Sequence, residues 1–372
     1  MRFLSTLVAS ALVSLGNAAA IARGDVPPVP QTQYDAIIVG GGPAGLAALS
    51  GLARVRRNVL LIDSGEYRNA PTRHMHDVPG FDGVTPAYYR WAARKQLSYY
   101  DTVEMENGTV TDIKARDENT WFSVTVDYGN KQKKTLTARK IVLATGLRDI
   151  LPETPGVEEA WGKGIFWCPW CDGHEHADQP LGLLGPLDKV AGMDLPKWEA
   201  YLKIHNVTVD NRTITEIERV AEGANEHADP SLPSVPENDW FNVKFDKGGP
   251  VGRAAFLASF PDEQRSDVGE KAGVQLYGGR LAANQSAGLA TNIPGIYAVG
   301  DANSDNVTNV PHALFSGKRT AVFLHVKLER EDQAVELAGE PAKRDTHLQA
   351  RDVWDTMNGK RGDMLYAGEF EQ

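Results

Sequence analysis

The chain has 372 residues, of which 42% are hydrophobic and 24% are charged, an ordinary composition for a globular protein of about two domains. Its formal net charge of −10 would repel nucleic-acid phosphates, so we expect no nucleic acid among its partners. Two cysteines are too few for a disulfide framework.

The first twenty residues have the pattern of a secretory signal peptide. Arg2 precedes a hydrophobic run over residues 3–15, and small residues suited to cleavage follow at 18–22. This run is shorter than the ~20 apolar residues that span a bilayer, and no later stretch is long enough, so we expect no membrane anchor. Asn-x-Ser/Thr sequons start at Asn107, Asn206, Asn211, Asn284 and Asn306. Together these features predict a secreted, N-glycosylated protein of the secretory pathway.

Residues 34–62 predict a βαβ unit with a glycine-rich turn. Residues 34–39 form an apolar run typical of a buried parallel strand, an Ala/Leu-rich helix follows to about residue 55, and residues 58–62 predict the next strand. The turn after the first strand has the pattern G-x-G-x-x-G at Gly40, Gly42 and Gly45. This context predicts a dinucleotide site rather than an unrelated glycine-rich turn.

The pattern has a physical basis. The first glycine permits a tight turn, the second lets the backbone approach a pyrophosphate, and the third lets the helix pack closely on the strand. The pyrophosphate then lies at the helix N-terminus, where free N–H groups favour anions. Asp63 ends the second strand and is placed to accept a ribose hydroxyl, and its carboxylate does not suit the 2′-phosphate of NADP. The sequence therefore predicts FAD or NAD.

Later elements favour FAD. Residues 121–126 and 136–144 predict strands, and the second of these ends in the turn Thr145-Gly146. Residues 295–299 predict another strand, and Gly300-Asp301 after it supplies a second phosphate- or ribityl-binding turn far along the chain. A helix is predicted over residues 313–328. The highly charged residues 329–372 predict a solvated helix and a mobile end.

The two cysteines form one Cys-x-x-Cys pair, Cys168 and Cys171. A disulfide between them would close a small loop and constrain the unfolded chain little, which disfavours a structural role. A zinc half-site is the alternative, but no second Cys or His pair with metal spacing follows, so we expect no metal. At a helix N-terminus such a pair has a lowered thiol pKa. The pair is therefore predicted to be redox-active.

In this order and spacing, the glycine fingerprint, Ala144-Thr145-Gly146, Cys168-Pro169-Trp170-Cys171-Asp172 and Gly300-Asp301 resemble the low-molecular-weight thioredoxin reductase family of flavoproteins. The resemblance implies an α/β fold with two Rossmann-like nucleotide-binding domains. An FAD domain over 33–155 and 287–328 would be split by a smaller inserted domain over 156–286 that bears the cysteines. The tail would be 329–372, and a homodimer is implied.

The resemblance also implies roles for individual residues. Cys168 would be the substrate-side thiol and Cys171 the flavin-facing one, and Asp172 or His174 would shuttle protons. Alternatives for the last two are a helix cap and a surface residue, and His176 and His312 are weaker candidates. The implied cofactor-binding residues are Gly40, Gly42, Pro43, Ala44, Gly45, Asp63, Ser64, Arg68, Asn69, His76, Val110, Thr145, Gly146, Asp301 and Val310.

The inserted segment departs from NADPH-using members of the family. Residues 180–187 have the strand of a second fingerprint but no third small residue, Asp188 adds a negative charge, and no basic cluster follows. Such a degenerate site, with residues 63–69 and 74–78, is similar to the fungal dithiol oxidase branch, the gliotoxin oxidase-like flavoproteins. Trp167 and Trp170 would line an apolar substrate pocket or pack in the core.

The expected activity is a thiol oxidase. A small-molecule or peptide dithiol would reduce the Cys168–Cys171 disulfide, Cys171 would pass the electrons to FAD, and molecular oxygen would take them up as hydrogen peroxide. An oxidising compartment fits this cycle. The alternatives are an NADPH-dependent disulfide reductase and a non-catalytic, FAD-stabilised binding protein.

Overall fold

The computed structural model describes residues 29–130, 132–185, 198–223, 231 and 236–338. The predicted signal peptide, the end of the second fingerprint with Asp188, and the end of the charged tail lie outside the described residues. No helix in the described part of the chain is long and apolar enough to cross a membrane.

The described chain alternates strands and helices. The strands are β1 Tyr34–Val39, β2 Val59–Asp63, β3 Val103–Asn107, β4 Thr109–Arg116, β5 Trp121–Asp127, β6 Lys133–Leu143, β7 Leu147–Asp149, β8 Ile165–Phe166, β9 Leu181–Leu184, β10 Ile214–Ala221, β11 Trp240–Phe245, β12 Val251–Arg253, β13 Ala255–Ala258, β14 Asp262–Gln264, β15 Leu276–Tyr277, β16 Arg280–Leu281 and β17 Ile296–Ala298. The helices are α1 Pro43–Ala53, α2 Pro86–Leu97, α3 Val157–Ala160, α4 Pro169–Asp172, α5 Trp198–Ile204, α6 Val268–Lys271 and α7 Val310–Ala338.

The main sheet has seven strands. Its order is β3-β2-β1-β6-β5-β4, and β17 also pairs with β6. Strands β1, β2, β3, β6 and β17 pair in parallel, whereas β4, β5 and β6 form an antiparallel meander. Every residue of β2 is buried, which explains its unbroken apolar sequence, because a parallel strand is covered on both faces. The predicted α/β fold class is confirmed.

Helices α1 and α7 pack together on one face of this sheet. A Cβ at Gly51 would lie 2.5 Å from the Cβ of Ala321, so the missing side chain permits the close approach of the two helices. Leu49 and Leu52 of α1 share a core with Leu324 and Leu328 of α7. This packing fixes α1 with its N-terminus at the carboxyl ends of the parallel strands.

The inserted part has its own small sheets. Strands β8, β13 and β9 pair in parallel, and β10, β11 and β12 pair antiparallel. A separate core of apolar side chains, including Ile165, Phe241 and Phe256, joins these two sheets. The second parallel sheet is the smaller nucleotide-binding-type unit that the sequence predicts.

The chain crosses between the two parts at β7 and β14, which pair antiparallel with each other. After β14 it rejoins the first core, because Val268, Val274 and Leu281 pack with Ile141 and Phe122. Contacts with the first core thus begin about twenty residues before the predicted boundary at residue 287. Apolar residues in this stretch could have packed on either part, and their partners decide the boundary.

The helix that the sequence predicts at the start of the charged tail is a continuation of α7, which runs to Ala338. The last turns of α7 carry carboxylates that pair with buried cations of the main sheet and its turns. The pairs are Arg57 with Glu329 at 2.5 Å and with Asp332 at 3.0 Å, Arg139 with Asp332 at 2.7 Å and with Glu331 at 3.0 Å, and Lys140 with Glu331 at 2.8 Å. The carboxylates of Glu329, Glu331 and Asp332 thus neutralise the three buried cations.

Candidate cofactor and thiol–disulfide site

One cavity of about 900 Å³ joins the two parts of the chain. Its wall contains the carboxyl ends of the parallel strands, the start of α1, the Cys-x-x-Cys segment and the start of α7. Ligands of open α/β sheets bind at this edge of the strands. The fold thus brings the glycine fingerprint and the cysteines, which are more than a hundred residues apart, to one site.

The fingerprint glycines have different steric environments. Gly40 has φ +113°, and a Cβ there would overlap the Ala144 carbonyl oxygen. A Cβ at Gly45 would overlap the Gly40 carbonyl oxygen, whereas one at Gly42 would meet no atom within 4 Å. Only Gly42 therefore faces open space, at the position where a pyrophosphate would lie.

The residues present fit an FAD. Gly42 caps α1, and Pro43 occupies the first turn, where the N–H groups have no carbonyl partner inside the helix and can bind an anion. Thr145 lines the cavity, and its hydroxyl oxygen is buried without a hydrogen-bond partner, as expected of a group that contacts a ligand. These groups would hold the pyrophosphate and the adjoining part of the cofactor.

Asp63 lines the cavity and is almost fully buried. Its Oδ1 accepts from the N–H of Gly41 at 3.2 Å and of Gly65 at 3.1 Å. Its Oδ2 accepts from the Tyr67 hydroxyl at 2.5 Å and from Arg94 Nη1 at 3.2 Å. Burial and this carboxylate raise the pKa of Tyr67 to about 12. The carboxylate is thus held in a fixed orientation at the end of β2.

Arg68 connects three elements around the cavity. Its Nε donates to Asp149 Oδ2 and its Nη1 donates to Asp301 Oδ2, both at 3.0 Å. Asp149 ends β7 and Asp301 follows β17, so one guanidinium holds the crossover strand against the second predicted cofactor turn. The guanidinium carbon also lies 5.4 Å from the ring centroid of Trp167.

Most of the sequence-predicted site residues line this cavity. They are Gly40, Gly42, Pro43, Ala44, Asp63, Ser64, Arg68, Asn69, His76, Val110, Thr145, Gly146, Cys168, Cys171, Asp172, Asp301 and Val310. Gly45 does not line it, because it packs against Gly40. His174 is exposed and does not line it either, which matches the alternative of a surface residue.

Cys168 and Cys171 form a disulfide in the cavity wall. Cys168 caps α4, which is a single turn, and the N–H groups of Cys171 and Asp172 donate to its carbonyl oxygen at 3.1 and 3.2 Å. Trp170, between the cysteines, is 81% exposed. Trp167 instead stacks on Trp161 with ring centroids 4.9 Å apart. The disulfide therefore faces the cavity, with an exposed indole beside it.

Asp172 directly follows the disulfide. Burial, with the charges of Glu237 and Glu175 nearby, raises its pKa to about 8. Its Oδ2 is buried and has no hydrogen-bond partner. At neutral pH this carboxyl is therefore protonated and can donate a proton beside the cysteines.

Sequence reasoning missed a buried charged cluster behind Asp172. Arg73 donates to Glu237, and it also donates to Asp239 through Nη1 at 2.7 Å and Nη2 at 3.0 Å. His74 Nδ1 and His176 Nε2 each lie 3.7 Å from a Glu237 carboxylate oxygen. Burial opposes ionisation of Glu237, but His74 and Arg73 hold its pKa below the usual range.

This cluster joins the two parts of the chain, because Arg73 and Glu237 are 164 residues apart in sequence. Burial lowers the pKa of His176, whose ring stacks on Phe166. Among the described residues no group of histidine, cysteine and carboxylate side chains could hold a metal ion. The only local sequence signal was the concentration of histidines near residues 74 and 176.

Comparison with known proteins agrees with this site. The pyridine nucleotide-disulphide oxidoreductase family matches residues 34–191. A probable thioredoxin reductase of Arthroderma benhamiae is 41% identical over 377 residues, which cover 92% of this chain and 91% of the relative. Thioredoxin reductase tcpT of Claviceps purpurea is 30% identical over 295 residues, which cover 76% of this chain and 90% of that relative.

Solved structures give the same result. The crystal structure of HlmI has a TM-score of 0.69 at 29% identity and covers 82% of this chain and 95% of its own. An oxidoreductase from Agrobacterium tumefaciens has a TM-score of 0.67 at 28% identity and covers 80% of this chain and 99% of its own. The predicted FAD cofactor and the predicted enzyme class are confirmed by these relatives. The chain belongs to the thioredoxin reductase-like family, in a branch shared with fungal relatives, and is an FAD-dependent oxidoreductase acting on thiol and disulfide groups.

Proposed function

We propose that this protein is a secreted thiol oxidase that forms disulfides in a small-molecule or peptide dithiol and uses molecular oxygen as the acceptor, giving hydrogen peroxide. The cysteine pair and Asp172 lie in the same cavity as the FAD fingerprint. FAD, when bound, supplies the two-electron carrier between Cys171 and oxygen. No second nucleotide is needed in this cycle.

The oxidase assignment rests on the ion pairs of Arg212 and Arg219, the two arginines among residues 198–223. Arg212 donates to Asp210 at 2.6 Å and to two backbone carbonyl oxygens. Arg219 pairs with Glu222 and Asp239. A 2′-phosphate needs cationic partners, and these two guanidinium groups already have carboxylate partners.

The protein's own residues account for the thiol chemistry. A substrate thiolate attacks Cys168, and Cys171 leaves as the second sulfur. Asp172 is protonated at neutral pH and can give its proton to a leaving sulfur. The exposed ring of Trp170 offers an apolar surface beside Cys168 for the substrate.

The secretory location is supported by the sequons. All five sequon asparagines are exposed, as glycosylation requires. N-terminal sequencing of the secreted protein should begin near residue 20, and removal of N-glycans should lower its mass. An intact N-terminus and an unchanged mass would refute the secretory assignment.

We also propose a homodimer, in line with the family. The outer face of α7 exposes the apolar side chains of Phe315, Val322, Phe323 and Val326. A group of exposed apolar side chains on one helix is typical of a protein–protein interface. Light scattering of the purified protein should give twice the mass of the chain.

The experiment that tests the oxidase proposal is stopped-flow mixing under argon. A dithiol such as dithiothreitol should bleach the flavin absorbance, whereas NADPH should not, and re-admission of oxygen should give one peroxide per disulfide formed. Cys171→Ser serves as the control and should remain yellow when mixed with the dithiol. Faster bleaching by NADPH than by the dithiol would mean that the oxidase assignment is wrong.

An NADPH-dependent disulfide reductase is the second candidate. The specific observation in its favour is that the relatives from Arthroderma benhamiae and Claviceps purpurea carry the name thioredoxin reductase. The same anaerobic experiment separates the two functions.

A further inference from the structure

We propose that His76 relays protons between the buried acids beside the Cys168–Cys171 disulfide and the solvent, with Asp82 as the exit. The proposal rests on thiol–disulfide exchange, which the family shares, and not on oxygen as the acceptor. It assigns a proton path to His76, which the sequence analysis placed only at the cofactor.

The main support for the proposal is the position of the His76 imidazole ring between two carboxylates. His76 Nε2 lies 3.4 Å from Glu175 Oε1, and His76 Nδ1 lies 3.5 Å from Asp82 Oδ2. The Glu175 side chain is 9% exposed, whereas that of Asp82 is 63% exposed. An imidazole can accept a proton at one nitrogen and release one from the other, so the ring connects a buried acid to a solvated one.

The loop that carries His76 holds Asp82 in place. The N–H of Asp77 donates to Asp82 Oδ1 at 2.7 Å, which leaves Oδ2 directed at the ring. The loop is closed by backbone bonds from Met75 N to the Val84 oxygen at 2.9 Å and from Gly83 N to the Met75 oxygen at 2.8 Å. The geometry of the exit is therefore set by the backbone.

The inner end of the path is Asp172. Glu175 and Glu237 are close enough for their charges to raise the pKa of Asp172, and Asp172 and His76 both line the cavity. The cationic and titratable groups that face Glu237 are Arg73, His74 and His176. Glu175 follows Asp172 by three residues, so the proposed path leads from this short segment beside the disulfide through Glu175 to His76 and Asp82.

Such a connection serves the proton transfers that accompany thiol–disulfide exchange. When a dithiol reduces the disulfide, the Cys168–Cys171 bond breaks, one S–S bond forms in the substrate, and two electrons pass to the cysteines. The two substrate S–H bonds lose two protons and the two cysteine sulfurs gain two. Each proton leaves an attacking sulfur before another reaches a leaving sulfur, so a path to water lets these two events occur independently.

The test follows exchange of the Asp172 proton in the oxidised, FAD-loaded protein, in which the cofactor occupies the cavity that Asp172 lines. The C=O stretch of a protonated carboxyl shifts when COOH becomes COOD, so infrared spectroscopy after rapid mixing with D₂O measures the exchange rate. Asp172→Asn identifies the band. His76→Asn should slow the exchange by about tenfold or more, and Asp82→Asn should slow it less, because water can still reach the ring.

Two further measurements separate a relay from a structural role. In the FAD-loaded protein, His76→Asn should slow reduction by dithiothreitol and increase its solvent deuterium isotope effect, and added imidazole should restore the rate. His205→Asn replaces an exposed histidine outside the cavity and should change neither rate. If His76→Asn fails to fold, His76→Gln takes its place. Wild-type exchange in the His76 variant, or no rescue by imidazole, would overturn the proposal, and neither readout depends on NADPH or oxygen.

Discussion

Replacing Asp172 by asparagine should stabilise the protein while it removes the proton donor. The folded pKa of about 8 lies well above the ordinary value of 3.8. Between these values the unfolded chain is ionised at this position and the folded chain is protonated. Folding therefore requires proton uptake, and this group makes the folded state less stable as the pH rises from 4 to 8, by about 1.4 kcal/mol per pH unit. Below this window both states are protonated and the effect disappears.

The magnitude follows from the size of the shift. Four pH units correspond to about 5 kcal/mol at alkaline pH, and about 4 kcal/mol remains at pH 7. Asparagine has the same shape but does not ionise, so it removes the cost of burying a charge at this position. The stability difference between Asp172→Asn and wild type should thus grow between about pH 4 and pH 8 and then level off.

Urea unfolding of the oxidised protein at several pH values measures this difference. Asp178→Asn is a matched control, because Asp178 is an exposed aspartate in the same segment. Its difference from wild type should not depend on pH. A stability difference for Asp172→Asn that is the same at acid and alkaline pH would show that the carboxyl is ionised in the folded protein, and the reasoning would fail.

Three other changes test the site. Gly42→Val should abolish retention of FAD without unfolding the protein, because the new side chain enters only the open space where the pyrophosphate would lie. The flavin absorbance of the purified protein measures this loss. The control Gly249→Ala, where a Cβ also meets no atom within 4 Å, should remain yellow. Cys168→Ser and Cys171→Ser should each abolish thiol turnover but lower the free energy of unfolding by only about 2 kcal/mol, because the disulfide closes a very small loop; a much larger loss would make the pair structural. Arg73→Met should cost about 3–5 kcal/mol in denaturant unfolding, because Glu237 stays buried without its guanidinium partner and Asp239 keeps only Arg219 as a guanidinium partner, at 3.6 Å. Lys271→Met, at an exposed ion pair with Asp267, should change little, and equal effects of the two substitutions would contradict the argument.

The sequence predicted the features whose causes are local. The glycine fingerprint needs no partner outside its own βαβ unit, because Gly45 packs on Gly40 and Gly40 adopts a left-handed conformation. A fixed three-residue spacing likewise identifies the cysteine pair. These local patterns predicted a dinucleotide site and a redox-active pair, whereas FAD and the two-domain fold followed from the order of motifs along the chain and the resemblance that they carry.

Features that depend on distant partners could not be read in this way. Nothing near Arg73 indicates that its partners are Glu237 and Asp239, which lie in the other part of the chain. The position after β14 at which the chain rejoins the core of the main sheet could not be predicted either, because an apolar residue such as Val268 could pack in either core. In both cases the same residues could have been solvated or packed elsewhere, and only the tertiary fold decides.

The ion pairs at the end of α7 determine where this protein can be shortened or fused. A chain that stops after Leu328 loses Glu329, Glu331 and Asp332 together and leaves the three cations of the main sheet without these carboxylates. Arg57 and Arg139 would keep only the longer carboxylate contacts to Asp35, at 3.8 and 3.6 Å, and Lys140 would lose its carboxylate partner. Because removing the partner of a buried charge is strongly destabilising, this cut would destabilise the cofactor half even though it removes no residue of the cavity. A cut or an affinity tag placed after Ala338 keeps every one of these pairs.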